Sequence, residues 1–247
     1  IPIKFKDGLD VKEPIKVTYG DKNETAYEIP IDKDDFLTTA GDVTGEVKYS
    51  FSIVSDENDT LSEEVLDVTE EGIVTFNKAC EGNNVKVRVT REDIENHKGT
   101  SIDVQFEVLR KKIKIDTKYE GLTYSKIYDK ELQVISNSDE DNGDKISDVS
   151  MIPFENGSIV NGDDVKISSI VGTLSPNVVN VKTNDAGEVI PYSTEEASIT
   201  LSEVKLTGDN ADNYIIDLGV PGKSDTVLAA EVTINKRPIK LKVSDGS

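Results

Sequence analysis

Val85-Lys86-Val87-Arg88-Val89-Thr90 and, after one intervening turn, Ile102-Asp103-Val104-Gln105-Phe106-Glu107-Val108 carry the fold in their alternation. Apolar residues occupy every second position and polar residues fill the gaps. A period of two sends one side of each segment to a core and the other to water, which is the pattern of a half-buried β-strand. Working outward, Val47, Tyr49, Phe51 and Ile53 repeat it, and Ile73-Val74-Thr75-Phe76 follows Gly72 as another short strand. Later in the chain Ile113/Ile115, Leu132/Val134, Val165/Ile167, Ile199/Leu201, Val204/Leu206, Tyr214/Ile216 and Val232/Ile234 continue the rhythm. Asn142-Gly143, Asn156-Gly157 and Asn161-Gly162 between them supply turns that need positive φ.

Helical periodicity is weak. Residues 91–97 form the best candidate and lack a full apolar stripe before Gly99, so a single helical turn is expected there. Many short strands without a βαβ rhythm predict an all-β chain built of antiparallel sandwiches.

A seam recurs in which Ile alternates with Lys: Pro2-Ile3-Lys4-Phe5-Lys6, then Lys111-Lys112-Ile113-Lys114-Ile115, then Lys236-Arg237-Pro238-Ile239-Lys240. The leading Ile residues lie about 110 and about 126 positions apart, which marks a tandem array of modules. The expected domains are 1–110, 111–236 and a truncated third beginning at 237–247. Internally the two full units are expected to differ.

Composition narrows the function. The 247 residues carry 28 Lys+Arg against 48 Asp+Glu, a formal charge of −20. Such a body repels phosphate, which argues against nucleic acid or anionic lipid as a partner. No apolar run is long enough to span a bilayer as a helix, so no membrane insertion is expected. Cys80 is the single cysteine, so an internal disulfide is impossible, and Cys80 and His97 stand far apart in sequence with no third group to orient a base. No catalytic residue, cofactor or metal is therefore assigned. The chain starts at Ile1 without a charged n-region and an apolar h-region, and reads as a piece of a longer protein.

Three groups of residues carry a family resemblance. Ser125-Lys126-Ile127-Tyr128-Asp129-Lys130 opens the second unit, Asn161-Gly162-Asp163-Asp164-Val165 lies within it, and Leu206-Thr207-Gly208-Asp209-Asn210-Ala211-Asp212-Asn213-Tyr214 precedes its last strand. Residues 113–235 thereby resemble the YDG domain family of bacterial surface proteins, with Lys130 in place of the family's Gly and Asn210 in place of its Asp. Residues 1–110 are similar to MBG and bacterial Ig-like repeats through Thr18-Tyr19-Gly20-Asp21, Gly45-Glu46-Val47-Lys48-Tyr49 and Gly72-Ile73-Val74-Thr75-Phe76-Asn77-Lys78-Ala79. The resemblance implies tandem Ig-like sandwiches in an exported, adhesin-type protein at the bacterial surface, without enzymatic activity. Tyr128, Asp129, Gly208, Asn213 and Tyr214 are expected to be structural: carboxylate and amide side chains cap turns, and the tyrosine rings pack.

Competing readings rest on less. Asp56–Asp59, Asp139–Asp144 and Asp163-Asp164 offer oxygen for calcium, but Ser150 stands where a calcium loop from Asp139 needs its twelfth-position Glu, and solvated loops explain them. Paired carboxylates for glycoside hydrolysis carry no weight among 48 acids, and the lack of Trp weakens a sugar-binding face. Some surface Ig-like domains carry a Lys–Asn isopeptide crosslink, and no Lys–Asn pair of this sequence is singled out for one. The expected partners are neighbouring modules of the same chain and a host glycan or protein ligand of unknown identity. The chain is expected to be monomeric. The alternatives to a stalk or adhesion segment are a binding module using loops at one sandwich end, and an accessory region of a secreted hydrolase.

Overall fold

A computed structural model describes residues 2–6, 9, 11–21, 26–32, 34, 46–55, 61–95, 97–135, 144–175, 180–220, 223–224 and 226–239. Strands hold 47% of the chain and helices 7%, so the all-β class stands. The chain divides into two compact units: Ile1–Lys111 with Asp212–Ile215, and Lys112–Ala211 with Ile216–Ser247.

The first unit holds β1 (Ile15–Thr18), β2 (Ala26–Glu28), β3 (Tyr49–Ile53), a short helix α1 (Leu61–Val65), β4 (Leu66–Val68), β5 (Ile73–Phe76), β6 (Val85–Arg91) and β7 (Thr100–Leu109). One sheet runs β1-β7-β6-β3 and a second β2-β5-β4. Tyr27 of β2 and Phe76 of β5 each meet Phe106 of β7 with ring centroids 5.4 Å apart, so the two sheets face each other across that ring in a sandwich-like arrangement. Val85, Val87, Val89, Val104, Phe106 and Val108 are all fully buried. At roughly 1.5–3 kcal/mol per large apolar side chain, the alternation of β6 and β7 makes a large contribution to this unit's core. The same alternation carries Arg91 inward, where it is 1% exposed and donates to the Lys98 carbonyl.

Among the described residues of 91–97 no helical turn forms. Arg91 completes β6, and Ile94 and His97 exchange backbone hydrogen bonds of 3.0 and 2.8 Å across a tight reversal with Glu95 at φ 46°. A hairpin joining two long antiparallel strands leaves no room for a helix. A short helix, α1, forms instead at Leu61–Val65, where no periodicity predicts one. Its Ser62 hydroxyl is buried and accepts from Lys86 N at 3.3 Å.

The division between the units falls within β8 (Lys111–Ile113). The second unit follows with β9 (Leu122–Ile127), β10 (Gln133–Ile135), β11 (Lys145–Ile146), β12 (Lys166–Ser175), β13 (Ser198–Thr207), the end of β14 (Tyr214–Ile216), β15 (Gly219–Val220), β16 (Lys223–Ser224) and β17 (Val227–Asn235). Its main sheet runs β10-β12-β13-β17-β9-β11. Leu122, Tyr124, Val134, Ile167, Ile199, Leu201, Leu228 and Val232 from five of these strands share one core, so the sheet curls around a common interior. Two register shifts along β12 and β13, at Ile167/Ser169 and Val171/Gly172, supply bulges that bend it. Val204 and Leu206 continue the strand of Ile199 and Leu201 rather than forming another.

The sheets are mixed, not purely antiparallel. β1 pairs parallel with β7, and β9 pairs parallel with β17. Hairpins force antiparallel neighbours, but a first strand that returns beside the last one is joined to it through the whole unit and is free of that constraint. The units also share their opening. In the first, Phe5 bridges Ile31, with Lys6 N donating to Pro30 O at 2.8 Å and Asp32 N to Lys4 O at 2.9 Å. In the second, Ile115 bridges Phe154, with Asp116 N donating to Pro153 O and Glu155 N to Lys114 O, both at 2.9 Å. The parallel ladders end alike too: Tyr19 N donates to Leu109 O and Tyr128 N to Asn235 O, each at 2.9 Å. Two units expected to differ internally thus follow one plan at their first and last strands. Beyond β17, Ile239 is 86% exposed, and residues 240–247 of the last seam lie outside the described residues.

Candidate functional site

The motif residues fall into three places. Tyr128 and Asp129 follow directly on β9. Tyr128 packs on the core of the second unit, and Asp129 Oδ1 accepts from Glu131 N at 2.9 Å while lying 2.8 Å from Lys126 Nζ. Lys126 is 2% exposed and also donates to Glu131 O at 2.9 Å. Burial alone would raise the Asp129 carboxyl, but Lys126 and the surrounding backbone donors outweigh it and hold the group below the usual carboxylate range. Lys130, which stands where the resemblance expects Gly, has φ 72°.

Gly208 follows β13 at φ 116°, and a Cβ there would run into the Asp164 carbonyl. Beside it Asn210 clasps Asp164 twice, its N donating to Asp164 O at 3.2 Å and its Oδ1 accepting from Asp164 N at 3.1 Å. Asn213 and Tyr214 belong to the first unit, where Asn213 Oδ1 accepts from Ala79 N at 2.9 Å and the Tyr214 ring meets Tyr19 edge-on at 5.7 Å. These five residues therefore make turn caps and packing contacts at separate positions and do not converge on one pocket.

The acidic candidates for calcium are spoken for or lie elsewhere. Asp164 Oδ1 is 2.8 Å from Lys166 Nζ, and Asp144 Oδ2 accepts from the Tyr124 hydroxyl at 3.0 Å. Burial, reinforced by Asp144, pushes that hydroxyl far up. Asp56–Asp59 and Asp139–Gly143 lie outside the described residues. Among the described residues no three His, Cys, Asp or Glu side chains gather as a metal site. Cys80 is buried, accepts from Val108 N at 3.4 Å and has the Asn83 carbonyl at 3.6 Å. Burial pushes its thiol up, so at neutral pH it is a protonated packing group and a poor nucleophile.

Among the described residues a concavity has the dimensions of a ligand site, and sequence reasoning missed it. It is a cleft of about 360 Å³ in the first unit, lined by Tyr49 and Phe51 of β3 and by the carboxylates of Glu28, Asp34, Glu70 and Glu71, with Lys6 adding a cation. The β4–β5 turn shapes it. Thr69 Oγ1 accepts from Glu71 N at 3.2 Å and from Ile73 N at 3.3 Å, and Gly72 turns back at φ 86°. A Cβ on Gly72 would lie 2.5 Å from the Phe51 ring, so glycine is what lets that ring lie over the turn. The Thr69 hydroxyl, with the local backbone, holds the Glu71 carboxyl below its ordinary range, so this side of the cleft is anionic at neutral pH. The arrangement suits a ligand with hydroxyl or ammonium donors and a flat apolar face.

Searches against family models, curated proteins and solved structures return no match for this chain.

Proposed function

We propose that this chain is a non-catalytic stalk or adhesion segment of a modular bacterial cell-surface protein, made of two Ig-like sandwich modules and working outside the cell. The observation that carries the reading is the parallel pairing of first and last strands in both units. A parallel pair starts and finishes at opposite ends of its ladder, so in each unit the early strand begins at one end of the ladder and the late strand finishes at the other. That is the geometry a string of modules needs. The motif residues act as turn caps and ring contacts, in keeping with a scaffold. The acidic surface of both units favours solubility and discourages edge-to-edge association of exposed strands, which fits a monomeric spacer. Protease shaving and antibody labelling of intact cells producing the parent protein test this directly. Labelling of the segment on unbroken cells is expected, and protection until lysis overturns the reading.

A second reading, a glycan- or protein-binding module, is favoured by the Tyr49–Phe51 cleft. Binding on a glycan array that is abolished by Tyr49→Ala would support it, and an empty array for the folded chain would remove the glycan form.

A further inference from the structure

We propose that the parallel pairing of first and last strands is a shear clamp in each unit, setting the force at which that unit unfolds when the chain is pulled by its ends. The first clamp aligns Ile15 with Phe106, Lys16 with Glu107, Val17 with Val108 and Thr18 with Leu109, and Tyr19 N extends it to Leu109 O. β1 is an edge strand, whereas β7 is held on its other side by β6 along seven paired positions. Tension on β1 from its N-terminal side and on β7 from its C-terminal side drags the two strands lengthwise past each other. The hydrogen bonds between them then share the load and must fail together. Tension on two adjacent ends would open them one after another. Side chains reinforce the first clamp: Lys16 Nζ and Glu107 Oε2 pair at 2.9 Å across it, and Val17 and Val108 are buried beneath it.

The second clamp is longer. It aligns six positions, from Leu122 with Ala230 to Ile127 with Asn235, and Tyr128 N adds a bond to Asn235 O. On their far sides β9 is flanked by β11 at Tyr124 and Ser125, and β17 by Tyr192, which bridges Val232. Lys126, buried in β9 and tied to Asp129 and Glu131, anchors the strand's C-terminal end. The second unit is therefore the stronger of the two.

This deepens the stalk reading but rests on the strand registers alone, so the two can fail separately. A protein found inside cells would leave the clamps intact, and weak clamps would leave the localisation untouched. The experiment is single-molecule pulling of the full chain. Pulled by its termini, it should give two unfolding steps, of about 32 nm and about 39 nm of released chain at roughly 3.4 Å per residue. The longer step should occur at the higher force. With Cys80→Ala to remove the native thiol, handles on Lys12→Cys and Arg110→Cys load the first clamp from opposite ends, and handles on Asp21→Cys and Arg110→Cys load it from one end. Glu120→Cys or Lys130→Cys with Lys236→Cys makes the same comparison in the second unit. Forced unfolding follows the unfolding rate under load, so opposite-end loading should need several-fold more force at one loading rate. Equal forces in the two geometries, or a higher force for same-end loading, overturn the proposal. If one set of variants fails to fold, the other unit and the step order of the unsubstituted chain still decide it.

Discussion

The ammonium of Lys126, 2% exposed, lies 2.8 Å from the half-exposed carboxylate of Asp129 three residues on. A buried cation with one ionic partner is asymmetric in its demands. Removing the partner strands a charge, whereas removing the charge itself strands little.

Asp129→Ala is therefore expected to destabilise the second unit by about 1–3 kcal/mol, the usual cost of an orphaned buried ion reduced for the solvent reaching Asp129. Lys126→Met, which fills the same space without a charge, is expected to cost less. Urea midpoints for the two variants check the order, and a larger loss for Lys126→Met would contradict it. Asp129 has a depressed folded pKa. Its contribution is thus complete above the unfolded value of about 3.9 and disappears as pH falls through the lower folded value.

Lys130 occupies a left-handed conformation at φ 72° that costs a side chain about 1 kcal/mol and costs glycine nothing. Lys130→Gly is expected to stabilise the second unit by about 0.5 kcal/mol, the strain relieved less the added freedom of the unfolded chain. Lys130→Val should destabilise it, since a β-branched residue fits that conformation worst. Thermal melts of the three proteins give the ranking.

Gly72 and Phe51 form a coupled pair. Gly72→Ala combines a positive φ with a clash on the Phe51 ring and is expected to cost about 1–3 kcal/mol. In a Phe51→Ala background the clash is gone and only the backbone strain remains. A double-mutant cycle should return a coupling of at least about 0.5 kcal/mol, and additive losses would mean that the ring does not rest on the turn.

Glu196 receives Lys182 Nζ at 2.7 Å on both oxygens and the Ser193 N–H at 2.8 Å. Lys182 first, and the Ser193 backbone second, hold its carboxyl down to about 2. Its folded value is depressed, so its share of stability is present above the unfolded value near 4.3 and is lost only as pH falls toward 2. A carboxyl-carbon NMR titration should show Glu196 still ionised at pH 3. Lys182→Met should raise it toward the ordinary range, with the Ser193 N–H still holding it below.

Alternation made β3, β6 and β7 legible, because each sets Val, Ile, Phe or Tyr against polar neighbours over several residues, while β5 was legible as a short β-branched run after Gly72. β9 escaped the same reading because Lys126 takes an inward position where the pattern demands an apolar residue. Arg91 does likewise at the end of β6, where a helical turn was expected instead. Periodicity also says which face a residue occupies and nothing of which strand lies alongside, so the parallel pairs of β1 with β7 and β9 with β17 were invisible. The cleft was hidden for a related reason. Lys6, Glu28, Tyr49 and Glu70 come from four separate stretches with no spacing in common, and only the folded first unit brings them together.

The opening brackets at Lys4–Lys6 and Lys114–Asp116, and the ladder ends at Tyr19 and Tyr128, are written in main-chain hydrogen bonds. Such bonds put almost no condition on the side chains they carry. Val17-Thr18-Tyr19 and Lys126-Ile127-Tyr128 hold equivalent positions with only the tyrosine in common. Modules of this plan can thus change almost every residue along their terminal strands and keep the same closure. Kinship among them is to be sought in strand register, where residue-by-residue alignment is blind.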